Sequence, residues 1–243
     1  MGKPLERVAF LYDCAAIKNY GGIMKKILIA LVASVCVLQI QIPANAAIVD
    51  PKVELINRMT QLGVAEQYKD SLANLILSGA TPESNNPTAV PISTSNSIAA
   101  GWNESRSVFT DGSVSITRIQ LPSSPFLRAS ITGCTVQSGS GYKNLLGCMV
   151  SNNTITTYFG YSADFGYVQG ARDSIFSVYD PFVYCYFGSC SDPVLSITKK
   201  YEDANGPATA RLSTVFVLVG GGASSTTSLT LQVGNDSAKA IAK

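Results

Sequence analysis

Apolar residues in the first part of the chain recur at the spacing of an amphipathic helix. Leu55, Met59 and Leu62 are four and three residues apart, which places them on one face of a helix. Asp50-Pro51 is typical of a helix start, and Gly63 is typical of the residue that follows a helix. A second run of this kind ends before the next glycine. The predicted element is a helical hairpin over 47–79, with helices at 51–62 and 66–78.

Residues 80–103 lose the helical spacing and contain almost no charge. Pro82, Pro87 and Pro91 are interspersed with asparagine, serine and threonine. Polar segments rich in proline stay extended and bury little surface. The sequence therefore predicts a semi-extended linker over 80–103, acting as a tether or, in the alternative, carrying an interaction motif.

Past the linker, the apolar spacing changes to two, as expected of strands. The dipeptide Asp111-Gly112 is typical of a hairpin turn that requires positive φ. Val114 and Ile116 alternate in one phase, whereas Ile119 and Leu121 alternate in the other. This change of phase predicts a β-bulge or a strand that crosses between two sheets.

About eight to ten short strands follow one another at roughly ten-residue spacing, without helices between them. This pattern predicts a mainly β protein: an antiparallel β-sandwich, immunoglobulin-like or jelly-roll-like, preceded by the short helical hairpin. The sandwich domain spans 104–238, and 239–243 is a C-terminal tail. The predicted strands are 107–110, 113–121, 129–136, 145–151, 154–167, 175–179, 182–187, 194–200, 210–219 and 227–234.

One strand is unusually aromatic on a single face. Phe159, Tyr161, Ala163, Phe165 and Tyr167 alternate with glycine and polar residues. Period-two alternation favours packing of this face in the core. Stacking on a glycan is the alternative interpretation.

The segment 24–46 has the three parts of a secretory signal peptide. A methionine and two lysines precede the apolar run Ile27–Leu38, and small residues follow at Ala44 and Ala46. The apolar run is shorter than the roughly 20 residues needed to span a bilayer, which disfavours an uncleaved anchor. We expect cleavage between Ala46 and Ala47, and hence a secreted, extracellular protein that meets the membrane only during export.

Residues 1–23 precede this leader and match neither a domain nor a second signal. We hypothesise that translation begins at Met24, so that 1–46 comprises an N-terminal extension and a signal peptide. A lipoprotein anchor at Cys36 is disfavoured, because a small residue is expected before such a cysteine and Val35 stands there.

The net charge of the whole chain is dominated by this leader. Five of the 18 basic residues but only two of the 16 acidic residues lie before Ala47, so the formal charge of +2 becomes −1 after cleavage. A basic footprint of the kind that binds nucleic acid is therefore not expected.

Four cysteines follow the leader: Cys134, Cys148, Cys185 and Cys190. In an exported protein such an even set predicts disulfides, and four cysteines allow three pairings. Cys134 and Cys148 flank a turn-rich stretch and would lie on facing strands of one hairpin, while Cys185 and Cys190 close a short loop. We predict the pairs 134–148 and 185–190. Zinc is disfavoured because the chain has no histidine and no Cys-x-x-Cys, and neither a metal nor a cofactor is expected.

Several short motifs lie along the chain: Leu-x7-Gly-Val over 55–64, Leu-x3-Ile over 72–76, Gly-x2-Pro-x-Ser over 79–84, Phe-Thr-Asp-Gly-Ser over 109–113, Gly-Cys at 133–134 and 147–148, and Gly-Pro-Ala-x-Ala-Arg-Leu-Ser over 206–213. In these motifs, most of 52–84 and 106–236 resembles a group of uncharacterised secreted proteins of Gram-positive, actinobacterial type. Ala65 stands where these proteins usually have a serine or threonine N-cap. The group has no known activity, so the resemblance implies only export and an N-terminal helical hairpin followed by a disulfide-bearing β-domain.

Catalysis is not the favoured function, because histidine, the commonest general base and the usual partner of serine and cysteine nucleophiles, is absent. A pair of carboxylates could still hydrolyse glycosides. Two of the candidates lie in predicted turns, where turn formation explains them. The candidate carboxylates are Glu104, Asp111, Asp164, Asp173 and Asp180.

The favoured function is binding, at or outside the cell surface, of a glycan or a protein. Tyr184, Tyr186 and Phe187 are the predicted binding residues, because adjacent aromatic residues on a strand point to opposite faces and cannot all be buried together. One alternative is a membrane-active toxin or bacteriocin-like effector that would use the strand pair 210–219 and 227–234. The other is a histidine-free carboxylate hydrolase.

Overall fold

The structure is a computed structural model, and it describes residues 50–122, 133–219 and 224–243. The predictions on the N-terminal extension, the signal peptide and its cleavage between Ala46 and Ala47 lie outside the described residues. Residues 50–243 belong to one compact unit.

The described chain is mainly β, with two short α-helices at its N-terminal end, as the sequence predicts. The α-helices are α1 (Pro51–Gln61) and α2 (Glu66–Leu77), and a 3-10 turn follows at Glu83–Asn85. The strands are β1 (Ser93–Ala99), β2 (Trp102–Val108), β3 (Val114–Gln120), β4 (Thr135–Gly139), β5 (Tyr142–Asn153), β6 (Thr157–Val168), β7 (Ser174–Cys185), β8 (Gly188–Cys190), β9 (Val194–Lys199), β10 (Ala208–Leu218), β11 (Ser224–Gly234) and β12 (Ser237–Ala242).

These strands form two antiparallel sheets. The seven-stranded sheet has the order β1-β2-β3-β5-β6-β7, with β4 paired to β5. The five-stranded sheet has the order β12-β11-β10-β8, with β9 paired to β10. Most neighbours in a sheet are also neighbours in sequence, as expected where tight turns connect antiparallel strands.

A first hydrophobic core contains side chains from both sheets. Phe159, Tyr161 and Phe165 of β6 are fully buried together with Leu212 of β10 and Leu231 of β11. The Tyr161 hydroxyl group reaches the other sheet, where it donates a hydrogen bond to the Ala210 carbonyl and accepts one from the Leu231 amide. The interpretation of the aromatic face of β6 as core is thus confirmed.

A second hydrophobic core joins the two helices to the strands. Leu55 and Met59 of α1 and Leu72 of α2 are buried against Val114 and Ile116 of β3. Helices of 11 and 12 residues are marginal alone, so this packing is what stabilises them. Helix α1 begins as predicted, since the Asp50 carboxylate accepts a hydrogen bond from the Lys52 amide, whereas α2 begins after Ala65 without a side-chain cap.

Arg106 connects the seven-stranded sheet to helix α1 through hydrogen bonds. The Arg106 guanidinium of β2 donates to the carbonyls of Leu62 and Gly63, at the C-terminal end of α1. Orphan carbonyls at a helix end need such donors, and a cation there is favourable. Helix α2 comes close to the chain at Gly112, which has a positive φ. A Cβ at this position would overlap the ring of Tyr68 in α2.

The predicted linker needs correction, since residues 80–103 contain the 3-10 turn, strand β1 and the start of β2. The turn is anchored by polar contacts: the Asn85 side chain is buried and bonds to Thr156 and Thr157, and the Glu83 amide donates to Asp111. The polar composition of this segment disfavours burial among apolar side chains. The 3-10 turn is instead held in place by hydrogen bonds.

The predicted change of phase along β3 has a different cause from the one inferred. The register of β3 with β2 and with β5 runs without a shift, so the expected bulge or crossing is wrong. Val114 and Ile116 face the helices, whereas Ile119 faces the first core. Because both faces of β3 are covered by other elements, apolar residues occur on both faces and do not simply alternate with polar residues. The predicted tail 239–243 also differs, because most of it belongs to β12.

Candidate functional site

Three aromatic rings lie together on the outer side of the seven-stranded sheet. Tyr158 of β6 is the register partner of Tyr184 of β7, and Gly160 is the partner of Phe182. The ring centroids are 5.1 Å apart for Tyr158 and Phe182, 5.8 Å for Phe182 and Tyr184, and 6.1 Å for Tyr158 and Tyr184. The last two rings are stacked with an interplanar angle of 15°. We call Tyr158, Phe182 and Tyr184 the aromatic surface.

Strand alternation explains why these rings point outward. Phe159 and Val183 are register partners whose side chains contact the first core, so their neighbours in sequence face the opposite side. Gly160 makes room for the ring of Phe182, since a Cβ there would come within 2.8 Å of that ring. The core-facing alternation and one glycine therefore create the aromatic surface.

The aromatic surface is accessible to solvent but unevenly so. Tyr184 is 57% exposed, while Tyr158 and Phe182 are half-buried. Phe176 and Tyr179, also of β7, add exposed aromatic area further along the strand. The Tyr179 hydroxyl donates a hydrogen bond to Asp164, and burial followed by the nearby Asp164 carboxylate raises the pKa of Tyr179.

The three residues predicted from sequence do not form one surface. Tyr184 is exposed, as expected, but Tyr186 lies beneath the guanidinium of Arg58, whose central carbon is 3.5 Å from the ring centroid. Phe187 adopts a positive φ of 61° and packs against the second core. Strand β7 ends at Cys185, and the disulfide between Cys185 and Cys190 closes the loop that contains Tyr186 and Phe187.

Arg58 of helix α1 contacts both the loop after β5 and the ring of Tyr186. Its guanidinium donates hydrogen bonds to the Asn153 side chain and to the carbonyls of Thr154 and Ile155. Burial lowers the pKa of Arg58, and the neighbouring Tyr186 opposes that shift. A cation over an aromatic face in a desolvated setting is a favourable contact. Arg58 therefore connects helix α1 to the loop after β5 and to Tyr186.

Sequence reasoning missed Tyr158, Phe182 and Arg58. The sequence does contain a signal for Phe182, because Phe182 and Tyr184 are two residues apart and share a strand face. Tyr158 could not be assigned to the same site without the register of β6 with β7. Arg58 was hidden because its partners are 95 to 97 residues away in sequence.

The predicted disulfide pairing is confirmed, since both cysteine pairs lie at disulfide distance. The Cα atoms are 4.1 Å apart for Cys134 and Cys148 and 6.1 Å apart for Cys185 and Cys190. The first pair closes the β4–β5 hairpin, and the second joins β7 of one sheet to β8 of the other. Disulfides of this kind indicate an oxidising environment.

The candidate catalytic carboxylates have structural partners and are scattered over the fold. Asp173 is buried and accepts hydrogen bonds from the amides of Val168 and Asp236. Asp164 accepts from the Gly147 amide as well as from Tyr179. Of the others, Glu104 pairs with Arg118, and Asp111 accepts hydrogen bonds from the amides of Glu83 and Ser113. The predicted turn at Asp180 is wrong, because this exposed residue of positive φ lies inside β7, where the register with β6 shifts. Over the described ranges, acidic residues and cysteines nowhere cluster in a group that could hold a metal ion.

The strand pair proposed for a membrane-active alternative contributes to the cores instead. The alternating apolar residues of β10 and β11, such as Leu212, Phe216 and Leu229, are fully buried. In the part of the chain that the structure covers, neither α-helix is long and apolar enough to cross a membrane.

Two cavities of about 400 Å³ lie away from the aromatic surface. One is lined by Tyr142, Lys143, Tyr167 and neighbours, and the other lies between strands β1 to β3 and β12. Neither is lined by Tyr158, Phe182 or Tyr184.

Comparison with known proteins gives one distant structural similarity. No protein-family model matches the chain, and no curated protein matches it either. A crystal structure of a hypothetical protein from Listeria monocytogenes EGD-e is 15% identical, covering 58% of this chain and 94% of its own length, with a TM-score of 0.33. A likeness of this extent assigns neither fold family nor function.

Proposed function

We propose that this chain is a secreted, non-catalytic β-sandwich protein, preceded by a helical hairpin, that binds a carbohydrate through the aromatic surface. The leader at 24–46 and the two disulfides support export to an oxidising environment. The first core, shared by both sheets, supports the sandwich. Four of the five candidate carboxylates are engaged in an ion pair or in hydrogen bonds, and the fifth, Asp180, is an isolated exposed residue of β7.

One observation carries the proposal: three aromatic rings contact one another on a solvent-facing side of the sheet. Buried aromatic side chains contribute to the core, but Tyr184 is 57% exposed and stacks on Tyr158. An exposed apolar cluster marks an interaction site. The apolar C–H face of a sugar ring can cover such rings, while the tyrosine hydroxyls bond to sugar hydroxyls.

The size of the aromatic surface favours a carbohydrate over a protein. An aromatic side chain covers about 150–250 Å² when fully exposed, and only Tyr184 is more than half exposed. The three rings therefore offer at most roughly 300 Å², whereas a stable protein interface buries about 800 Å² on each partner. A few sugar units would cover the available area.

The test is binding of the secreted protein to a glycan array and to bacterial polysaccharides. We expect Tyr184→Ala to weaken binding at least tenfold, which corresponds to about 1.4 kcal/mol, and Tyr158→Ala to weaken it as well. Tyr142→Ala is the matched control, because Tyr142 is 46% exposed on β5 and lies outside the aromatic surface. Circular dichroism and melting curves establish that each variant folds.

Three results would overturn the proposal. Equal affinities of the wild type and of a folded Tyr184→Ala variant would rule out this surface. Equal losses in Tyr184→Ala and Tyr142→Ala would show non-specific adsorption to exposed tyrosines. A wild-type protein that binds proteins but no glycan would refute the carbohydrate assignment.

A further inference from the structure

Strand β1 forms an edge of the seven-stranded sheet. It pairs with β2 from Ser93–Val108 to Ala99–Trp102 without a shift of register, and on its other side it has no partner among the described residues. All seven of its residues are exposed. Alternate residues of an antiparallel strand direct their amide and carbonyl groups away from the paired neighbour. The free side of β1 therefore offers a row of backbone donors and acceptors.

This edge lacks the features that usually prevent strand pairing. Natural edge strands are protected by charges, prolines, bulges or covering elements. Strand β1, Ser-Thr-Ser-Asn-Ser-Ile-Ala, contains neither a charged residue nor a proline, and Ile98 is 76% exposed. By contrast, β12 at an edge of the other sheet carries Lys239 and packs against β3.

The sequence of β1 is close to symmetric about Asn96. An antiparallel pairing with a second copy, centred on this residue, would place Ser95 opposite Ser97 of the partner. It would also place Thr94 opposite Ile98, and Ser93 opposite Ala99. Each opposed pair thus matches two small or two β-branched side chains, and β-branched side chains fit the pleated surface of a sheet. No charge is opposed by a like charge.

We propose that β1 is a self-association edge, at which two copies of the chain pair antiparallel about a two-fold axis through Asn96. The seven-stranded sheet continues from one copy into the other, and the backbone groups of both free edges are satisfied. This interface is isologous, because the same strand serves both copies. Its small size places it among weak, concentration-dependent associations.

Charge substitutions on β1 test both the interface and its register by sedimentation velocity over a range of concentrations. The variant with Ser95→Lys and Ser97→Lys brings lysines face to face across the axis, and we expect it to associate at least tenfold more weakly than the wild type. The variant with Ser95→Asp and Ser97→Lys opposes each introduced lysine with an aspartate of the partner. It also places each new charge opposite a residue of opposite charge on β2, since Ser95 pairs with Arg106 and Ser97 with Glu104, so it should associate more tightly than the double-lysine variant.

Matched controls separate the edge from a general effect of charge. Val194→Lys with Ser196→Lys adds the same charge at the same spacing on β9, where both positions are exposed, and should leave association unchanged. Asn96→Cys should form a dimer disulfide under mild oxidation, because the axis places the two cysteines opposite each other. Ser93→Cys, opposite Ala99 of the partner, should cross-link much more slowly.

Three results would overturn the proposal. A wild-type protein that stays monomeric at its highest soluble concentration is the first. A dimer that persists unchanged in the double-lysine variant of β1 is the second. Equal cross-linking of Asn96→Cys and Ser93→Cys is the third, since it would exclude the proposed axis.

Discussion

Removal of the Tyr161 hydroxyl group tests the contact between the two sheets. This hydroxyl group donates a hydrogen bond to the Ala210 carbonyl at 3.3 Å and accepts one from the Leu231 amide at 3.1 Å. Tyr161 is fully buried, and that burial raises the pKa of Tyr161. The hydroxyl group is therefore a neutral donor and acceptor placed between β10 and β11 by the opposite sheet.

The magnitude follows from the two lost hydrogen bonds. Each contributes about 0.5–1.5 kcal/mol net, and a buried amide left without a partner adds to the cost. We expect Tyr161→Phe to lower the free energy of unfolding by about 2 kcal/mol. At about 2–4 °C per kcal/mol for a domain of this size, the melting temperature should fall by about 4–8 °C.

Urea unfolding followed by circular dichroism measures this change. Tyr142→Phe removes a hydroxyl group from an exposed tyrosine and should change the free energy of unfolding by less than about 0.5 kcal/mol. If Tyr161→Phe is as stable as Tyr142→Phe, the hydroxyl bridge between the sheets does not exist in solution and the assigned sheet packing is wrong.

Three further perturbations probe other contacts. Arg58→Met should lower the free energy of unfolding by about 3 kcal/mol in urea titrations, and Arg58→Lys by less; an unchanged stability would exclude its bonds to the loop after β5. Replacement of both Cys134 and Cys148 by alanine should cost about 3 kcal/mol in the same assay, as expected for a loop of this length; an unaffected transition would mean that the bond is absent. Burial, and then nearby carboxylates, raise the pKa of Tyr167 to about 12, so the folded protein keeps a proton that the unfolded chain releases near pH 10. The contribution of this proton to the free energy of unfolding is therefore present below about pH 10 and should be lost as the pH rises towards about 12. The loss should be smaller in Tyr167→Phe. Identical profiles of the free energy of unfolding against pH in the two proteins would contradict the raised pKa.

The strongest local patterns in the sequence predict the structure well. The period-two run from Phe159 to Phe165 is buried as expected, and Asp111-Gly112 connects β2 to β3 with Gly112 at a φ of 81°. The pairing of Cys134 with Cys148 follows from the symmetry of one hairpin. These features depend on neighbours in sequence, which is why spacing alone identifies them.

The features that were missed depend on distant partners. The composition of residues 80–103 predicts a linker that buries little surface, but Asn85 is buried because Thr156 and Thr157 satisfy its amide. The aromatic surface requires the register that aligns Tyr158 with Tyr184. Composition and spacing carry no information on such pairings, so they could be seen only in three dimensions.

Hydroxyl-radical footprinting with mass spectrometry tests the proposed binding at the aromatic surface most directly. The wild-type protein is oxidised alone and in the presence of a glycan that binds it on the array. We predict that Tyr158, Phe182 and Tyr184 become protected, while the exposed Tyr142 and Tyr201 are oxidised as in the free protein. Protection elsewhere, with Tyr184 oxidised at its unliganded rate, would contradict binding at the aromatic surface.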